Sequence, residues 1–156
     1  MVVFIETIPA ALTTAVFLIA LGLAAYSDKN TRTIPNGICA VILLTAATAC
    51  FTIPGIDICA RLSGLVCVSA PMFLLALFIP GAFGGGDIKL MAVGGAFLGW
   101  RLTVTAAVIA VVCTGGWCGI MIAAGKRNRK DRFALGPFLC LGMLAVVLAG
   151  DKIAII

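Results

Sequence analysis

Two carboxylates and a run of glycines carry the chemistry open to this sequence. Asp87 follows Gly84, Gly85 and Gly86 and opens an apolar run from Ile88 to Trp100. Asp28 follows the first apolar run and precedes Ile34-Pro35-Asn36. A carboxylate beside a lipid-like helix is costly and usually functional. Glycines let a second chain approach the backbone closely. An aspartate before a helix also serves as an ordinary N-cap, so the surrounding chain must decide between the two readings. Two acids held together share one proton because like charges cannot both ionise easily. The ionised member activates water as a base. The protonated member polarises a carbonyl and later protonates the leaving amine. The chain has no histidine, so serine–histidine and cysteine–histidine nucleophiles are excluded. Lys89, two positions after Asp87, points to a nearly opposite helix face. It is expected to reach toward the cytoplasmic interface.

The elements that must hold the acids are membrane helices. Hydrophobic residues make up 63% of the 156 residues and charged ones 11%, against about 25% charged in soluble domains. The expected fold is all-α, a polytopic membrane protein with six transmembrane helices forming one domain over residues 1–156. The expected segments are Val3–Tyr26, Gly37–Ile53, Ile58–Ile79 with a kink at Pro71, Ile88–Trp100, Leu102–Ala124 and Phe133–Gly150. The first lacks the basic start and cleavage site of a secretory signal.

The net charge of +5 does not indicate nucleic acid, because five of the eleven basic residues crowd into 126–132 between apolar runs. With six spans, the odd-numbered loops hold eight basic residues and the other side holds Arg61, Arg101 and Lys152. The positive-inside rule then puts both termini outside and the loops bearing Asp28 and Asp87 in the cytoplasm. Glu6, Asp57 and Asp151 fall toward the opposite face, and Asp131 sits among basic residues. Segment four is short: 14 residues from Asp87 to Trp100 span about 21 Å of helix against a hydrocarbon core of about 30 Å. With Trp100 and Arg101 anchored outside, Asp87 lies below the inner surface, where irregular glycine backbone is tolerated only if it lines a cavity. The four-residue spacings Gly95/Gly99 and Gly115/Gly119 predict close helix packing.

The seven cysteines form no Cys-x-x-Cys pair. Without histidine, no metal site and no cofactor is expected. They read as small core residues, with a disulfide at Cys59 left open.

Gly84-Gly85-Gly86-Asp87-Ile88-Lys89-Leu90 resembles the Gly-x-Gly-Asp-x-Lys-Leu signature of type IV prepilin peptidases. Asp28 with Ile34-Pro35-Asn36 resembles their first aspartate motif, and 133–138 their Pro-Phe-Gly-Pro segment, with Ala134 and Leu135 as departures. The resemblance covers nearly the whole chain. It implies that Asp28 and Asp87 are the catalytic pair. It also implies an intramembrane aspartic endopeptidase that removes short basic leaders from prepilins or pseudopilins at the cytoplasmic face of the inner (plasma) membrane. Gly84, Gly85, Gly86, Asn36 and Lys89 are the expected substrate-binding residues. The expected partners are the prepilin and membrane lipid, not nucleic acid, and homo-oligomerisation stays open. Longer members carry a cysteine-rich, zinc-binding insert and methylate the new amino terminus. The chain lacks that insert and looks like the peptidase-only form of tight-adherence pilus systems. A presenilin-like protease of other membrane substrates and a small channel or transporter are the competing classes. The Ile-Pro-Asn motif and small size favour the prepilin reading over the first. No inverted repeat joins the halves to support the second.

Overall fold

The computed structural model describes residues 8–31, 33–53, 55–79, 83–124 and 135–149. Glu6, Arg32, the basic run 126–132 with Asp131, and Asp151 with Lys152 lie outside them. The described elements are α1 (Ile8–Thr31), α2 (Asn36–Thr52), α3 (Ile58–Cys67), α4 (Ser69–Phe78), α5 (Gly85–Leu98), α6 (Trp100–Ala123) and α7 (Gly136–Ala149). Among the described residues three stretches are long and apolar enough to cross a membrane: Ile8–Thr31, Ile58–Phe78 and Trp100–Met121. The second of these is α3 and α4, one rod interrupted at Val68. The expected kink at Pro71 therefore falls three residues earlier. Proline has no N–H to offer, and its ring crowds the carbonyl four residues back, which here belongs to Cys67.

Short α5 is the hub, touching α2, α3, α4, α6 and α7. On the far side α1 touches α2 and α7. Thus α1, α2, α5 and α7 close a ring, with α1 and α5 facing each other across it. Large apolar side chains cover the outside, among them Leu12, Ile19, Leu23, Leu44, Phe73 and Leu77. Such a surface suits lipid rather than water.

The ends of α2, α3 and α5 are bound together by Arg61, which is 3% exposed. Its guanidinium donates to the carbonyls of Phe97 (2.9 Å), Ala49 (3.0 Å), Ile53 (3.2 Å) and Ile56 (3.4 Å). Ala49 and Phe97 belong to the last turns of α2 and α5, where a cation complements the helix dipole; the Ala49 carbonyl, which also accepts from Ile53 N at 2.9 Å, takes the guanidinium as a second donor. The charge count assigns Arg61 to the outer loops; it is instead buried and serves as an internal cap. Arg101, also counted there, is exposed over the Trp100 ring, 5.9 Å from its centroid.

One turn beyond Arg61, α3 meets α5 backbone to backbone. A Cβ at Gly64 would collide with the Gly95 carbonyl oxygen, and one at Gly95 with that of Gly64. The packing expected of Gly95 is therefore present. Gly99 shares that close approach, its carbonyl carbon 2.7 Å from a Cβ built at Gly64, and at φ 78° it also ends α5 in a conformation that side chains disfavour. Trp100 accordingly starts α6 and is not the end of the fourth segment. Among the described residues nothing lies within 4 Å of where a side chain would go at Gly115 and Gly119, so the packing expected of them is not made there. The reason is length. At 24 residues, α6 runs about 36 Å, while its 14-residue neighbours α5 and α7 run about 21 Å. Its buried residues stop at Ala110.

All seven cysteines are free, Cys59 included. Only Cys39 and Cys140 are buried core residues, while Cys50, Cys59 and Cys113 are exposed.

Candidate active site

The first acid lies inside a helix. The sequence expectation ended segment one at Tyr26, but α1 continues to Thr31. Polar side chains extend it. Thr31 Oγ1 donates to the Ser27 carbonyl at 2.8 Å, and Ser27 Oγ donates to the Thr33 carbonyl at 3.0 Å. Asp28 therefore continues the buried stripe of Phe17, Ala20, Leu21 and Ala24, spaced as one helix face. It is 7% exposed.

The second acid is also helical. Gly84 is the N-cap of α5, and Gly85 and Gly86 occupy its first turn. The irregular glycine loop expected there is thus a helix start, and Asp87 is its third residue rather than its cap. The Gly84 N–H donates back to the Asp87 carboxyl, the acid's half of a capping box. Asp87 is 8% exposed and close enough to Asp28 for the two charges to interact. Residues 59 positions apart in sequence thus converge at one end of the ring.

Several residues of the two motifs have a physical task. Ile34 is buried against Gly86, where a Cβ would come 3.2 Å from Ile34 Cβ. A side chain there would require the loop after α1 to give way by a few tenths of an ångström, so glycine lets it settle close to the start of α5. Pro35 is the N-cap of α2, and its carbonyl accepts from Ile38 N at 3.1 Å. Asn36 Oδ1 accepts from Lys89 Nζ at 3.1 Å. Lys89 therefore turns away from Asp87, as its spacing implied, but finds a partner in the first motif. Leu90 is fully buried. Gly85 is exposed and open, with nothing within 4 Å of its missing side chain.

The structure thus brings Asp28 near Asp87, sets Gly84 beside Asp87 and Gly86 against Ile34, and joins Asn36 to Lys89. Sequence reasoning missed the contribution of α7. Asp28 packs against Gly136, and Cys140 is within electrostatic reach of both acids. The only signal was the position of Gly136 in the third motif, which carried no role. Among the described residues, no three histidine, cysteine or acidic side chains are grouped to hold a metal ion.

A family model described as the type IV leader peptidase family matches residues 15–120, more than half of the chain and both acids. A prepilin leader peptidase/N-methyltransferase of Bacillus subtilis (strain 168) is 28% identical over 138 residues, which is 88% of this chain and 56% of that protein. A protein of the same name from Legionella pneumophila is 35% identical over 71 residues, 45% of this chain and 24% of that protein. The chain spans about half the length of the first relative and a quarter of the second. No solved structure matches it.

Proposed function

The chain belongs to the type IV leader peptidase family, and on that footing we propose that Asp28 and Asp87 are the catalytic pair of an aspartic endopeptidase cleaving leaders from type IV prepilins or pseudopilins. The observation that carries this reading is the convergence of two buried carboxyls from α1 and α5 at one end of the bundle. One acid, ionised, takes a proton from water. The hydroxide equivalent adds to the scissile carbonyl carbon while the other acid hydrogen-bonds its oxygen. Collapse breaks the C–N bond, and a proton returned by the pair goes to the leaving amine. The products are a leader with a new carboxylate and a pilin with a new amino terminus. No external oxidant or activator is needed.

The described helices act as one peptidase unit in the inner (plasma) membrane, crossing it six times, with both termini outside and the acids facing the cytoplasm. The substrate keeps its apolar helix in lipid and its basic leader in the cytoplasm. Its extended segment passes the exposed Gly84–Gly85 turn, beside Asn36 and Lys89. Supporting the substrate class are the family match and the two named relatives.

The test is cleavage of one prepilin, with a basic leader and an apolar helix, by purified protein in detergent. Asp28→Asn and Asp87→Asn should each abolish turnover, and the double variant should be no worse, because groups acting as a unit give non-additive losses. Substantial turnover by either single variant, equally folded, removes that residue from the mechanism. Proton flux in vesicles without cleavage would favour a transport role instead.

A further inference from the structure

The acid pair has a third wall, formed by the first turn and a half of α7, which lies beyond the matched stretch 15–120. Gly136, the first residue of α7, is buried against Asp28. A Cβ built there would lie 2.5 Å from Asp28 Oδ2, 2.8 Å from its Cγ and 3.1 Å from its Cβ. Among the described glycines no other faces a carboxyl so directly. Gly84, beside Asp87, would place its Cβ 3.2 Å from Oδ2. Gly136 does not have a positive φ; among the described residues only Gly99 does. The backbone itself would therefore accept alanine, and the absence of a side chain serves the space in front of Asp28. Four residues later, on the same face of α7, Cys140 is 5% exposed. It lies against the Ala25 backbone of α1 and within electrostatic reach of both acids.

We propose that Gly136 and Cys140 are positioning residues for the acid pair: α7 closes against α1 at these two small residues and so fixes where the Asp28 carboxyl stands relative to Asp87. The inference rests on the catalytic reading of the two acids. Its physical basis is the tolerance of the reaction to misplacement. To regain ordinary contact with an alanine at 136, the Asp28 carboxyl must move outward by about an ångström, and a shift of that size costs about 10²-fold in rate. The substrate's apolar helix and the Gly84–Gly85 turn are untouched, so the loss should fall on kcat and not on KM.

The experiment compares kcat and KM for prepilin cleavage by Gly136→Ala, Cys140→Val and Gly22→Ala, with thermal unfolding in detergent alongside. Gly22 sits on α1 with nothing within 4 Å of its missing side chain, so Gly22→Ala should leave both constants and the fold unchanged. Gly136→Ala should lose about 10²-fold in kcat with KM held within about twofold. Cys140→Val adds one methyl group to the same wall and should lose kcat in the same pattern, about tenfold, from a smaller displacement. A folded Gly136→Ala protein with wild-type kcat overturns the proposal. Should Gly136→Ala not fold, Cys140→Val decides: wild-type kcat overturns the proposal, and a kcat loss with KM retained supports it. Asp28→Asn and Asp87→Asn run beside them. Turnover by those variants would overturn the acid pair itself, whereas inactive Asn variants beside an unimpaired Gly136→Ala would overturn the α7 wall alone.

Discussion

Phe17 and Phe97 stack face to face, ring centroids 4.0 Å apart and planes 7° from parallel. Phe17 lies 11 residues before Asp28 on α1, and Phe97 lies 10 residues after Asp87 on α5. At about 1.5 Å per residue, the rings stand about 16 Å and 15 Å from their acids. The two helices run in opposite directions, so one aromatic pair sets the register that brings the acids level. No large movement of α1 along α5 can occur without breaking the stack.

Phe17→Leu and Phe97→Leu should therefore affect stability and turnover together. Face-to-face ring contact is worth about 1 kcal/mol beyond the area it buries. A double-mutant cycle by unfolding in detergent should return a coupling near that size, and kcat should drop more than KM rises. Additive stability losses would show that the two rings do not act as a pair.

Lys89 and Asn36 join the two sequence motifs through one hydrogen bond at an exposed site. Such a bond contributes at most about 1 kcal/mol. Asn36→Ala and Lys89→Met should each leave the fold intact, and the double variant should cleave no more slowly than the weaker single one. Full additivity in kcat/KM would mean that the residues meet the substrate separately.

The glycines divide by what surrounds them. Gly85→Ala meets open space and should keep or slightly raise the unfolding temperature, since alanine favours a helix by up to about 1 kcal/mol. If the substrate passes that turn, KM should rise while stability does not fall. Gly64→Ala, by contrast, drives a side chain into the α5 backbone and should cost about 1–3 kcal/mol or more. Gly115→Ala on the open part of α6 should cost nothing. Unfolding temperatures of the three variants check the division.

Topology is the fourth expectation. Single cysteines placed on a cysteine-free background should react with a membrane-impermeant reagent from outside intact cells when near Asp57. Those near Lys29 or in 126–132 should not react. Labelling of 126–132 from outside would reverse the assignment of faces.

The sequence made the acids legible because each cost is local: an aspartate in an apolar chain needs a reason, whatever the fold. The Ile-Pro-Asn and Lys-Leu contexts were legible as motifs, but their physical tasks were not. The contact of Ile34 with Gly86 and the bond from Lys89 to Asn36 join residues separated by some 50 positions. Periodicity within a segment carries no information about such pairings. Helix ends were misjudged where polar residues stay helical, as at Ser27–Thr31, and where glycines enter a first turn, as at Gly85 and Gly86. Polarity marked those stretches as breaks, whereas hydroxyl-to-carbonyl bonds and a neighbouring helix held them. The role of Gly136 was invisible for a different reason: its meaning is an absence of atoms opposite Asp28, and an absence can be recognised only once the opposite side is in place.

The fan of bonds around Arg61 also carries a consequence for the order in which the chain assembles. Ribosomes deliver residues 36–61 before 85–98. Once the α2–α3 hairpin exists, the carbonyls of Ala49, Ile53 and Ile56 are at hand for the guanidinium, and only the bond to Phe97 must wait. This buried charge can thus enter lipid largely solvated by its own hairpin, holding one N–H ready for a helix not yet made. When α5 arrives, its far end is captured there, and Asp87 is carried to Asp28 by a helix already anchored 10 residues away at Phe97. Gly136 and the rest of α7 emerge later still. Synthesis in this order brings the two acids together only after the α2–α3 hairpin exists, and before α6 and α7 are there to close around them.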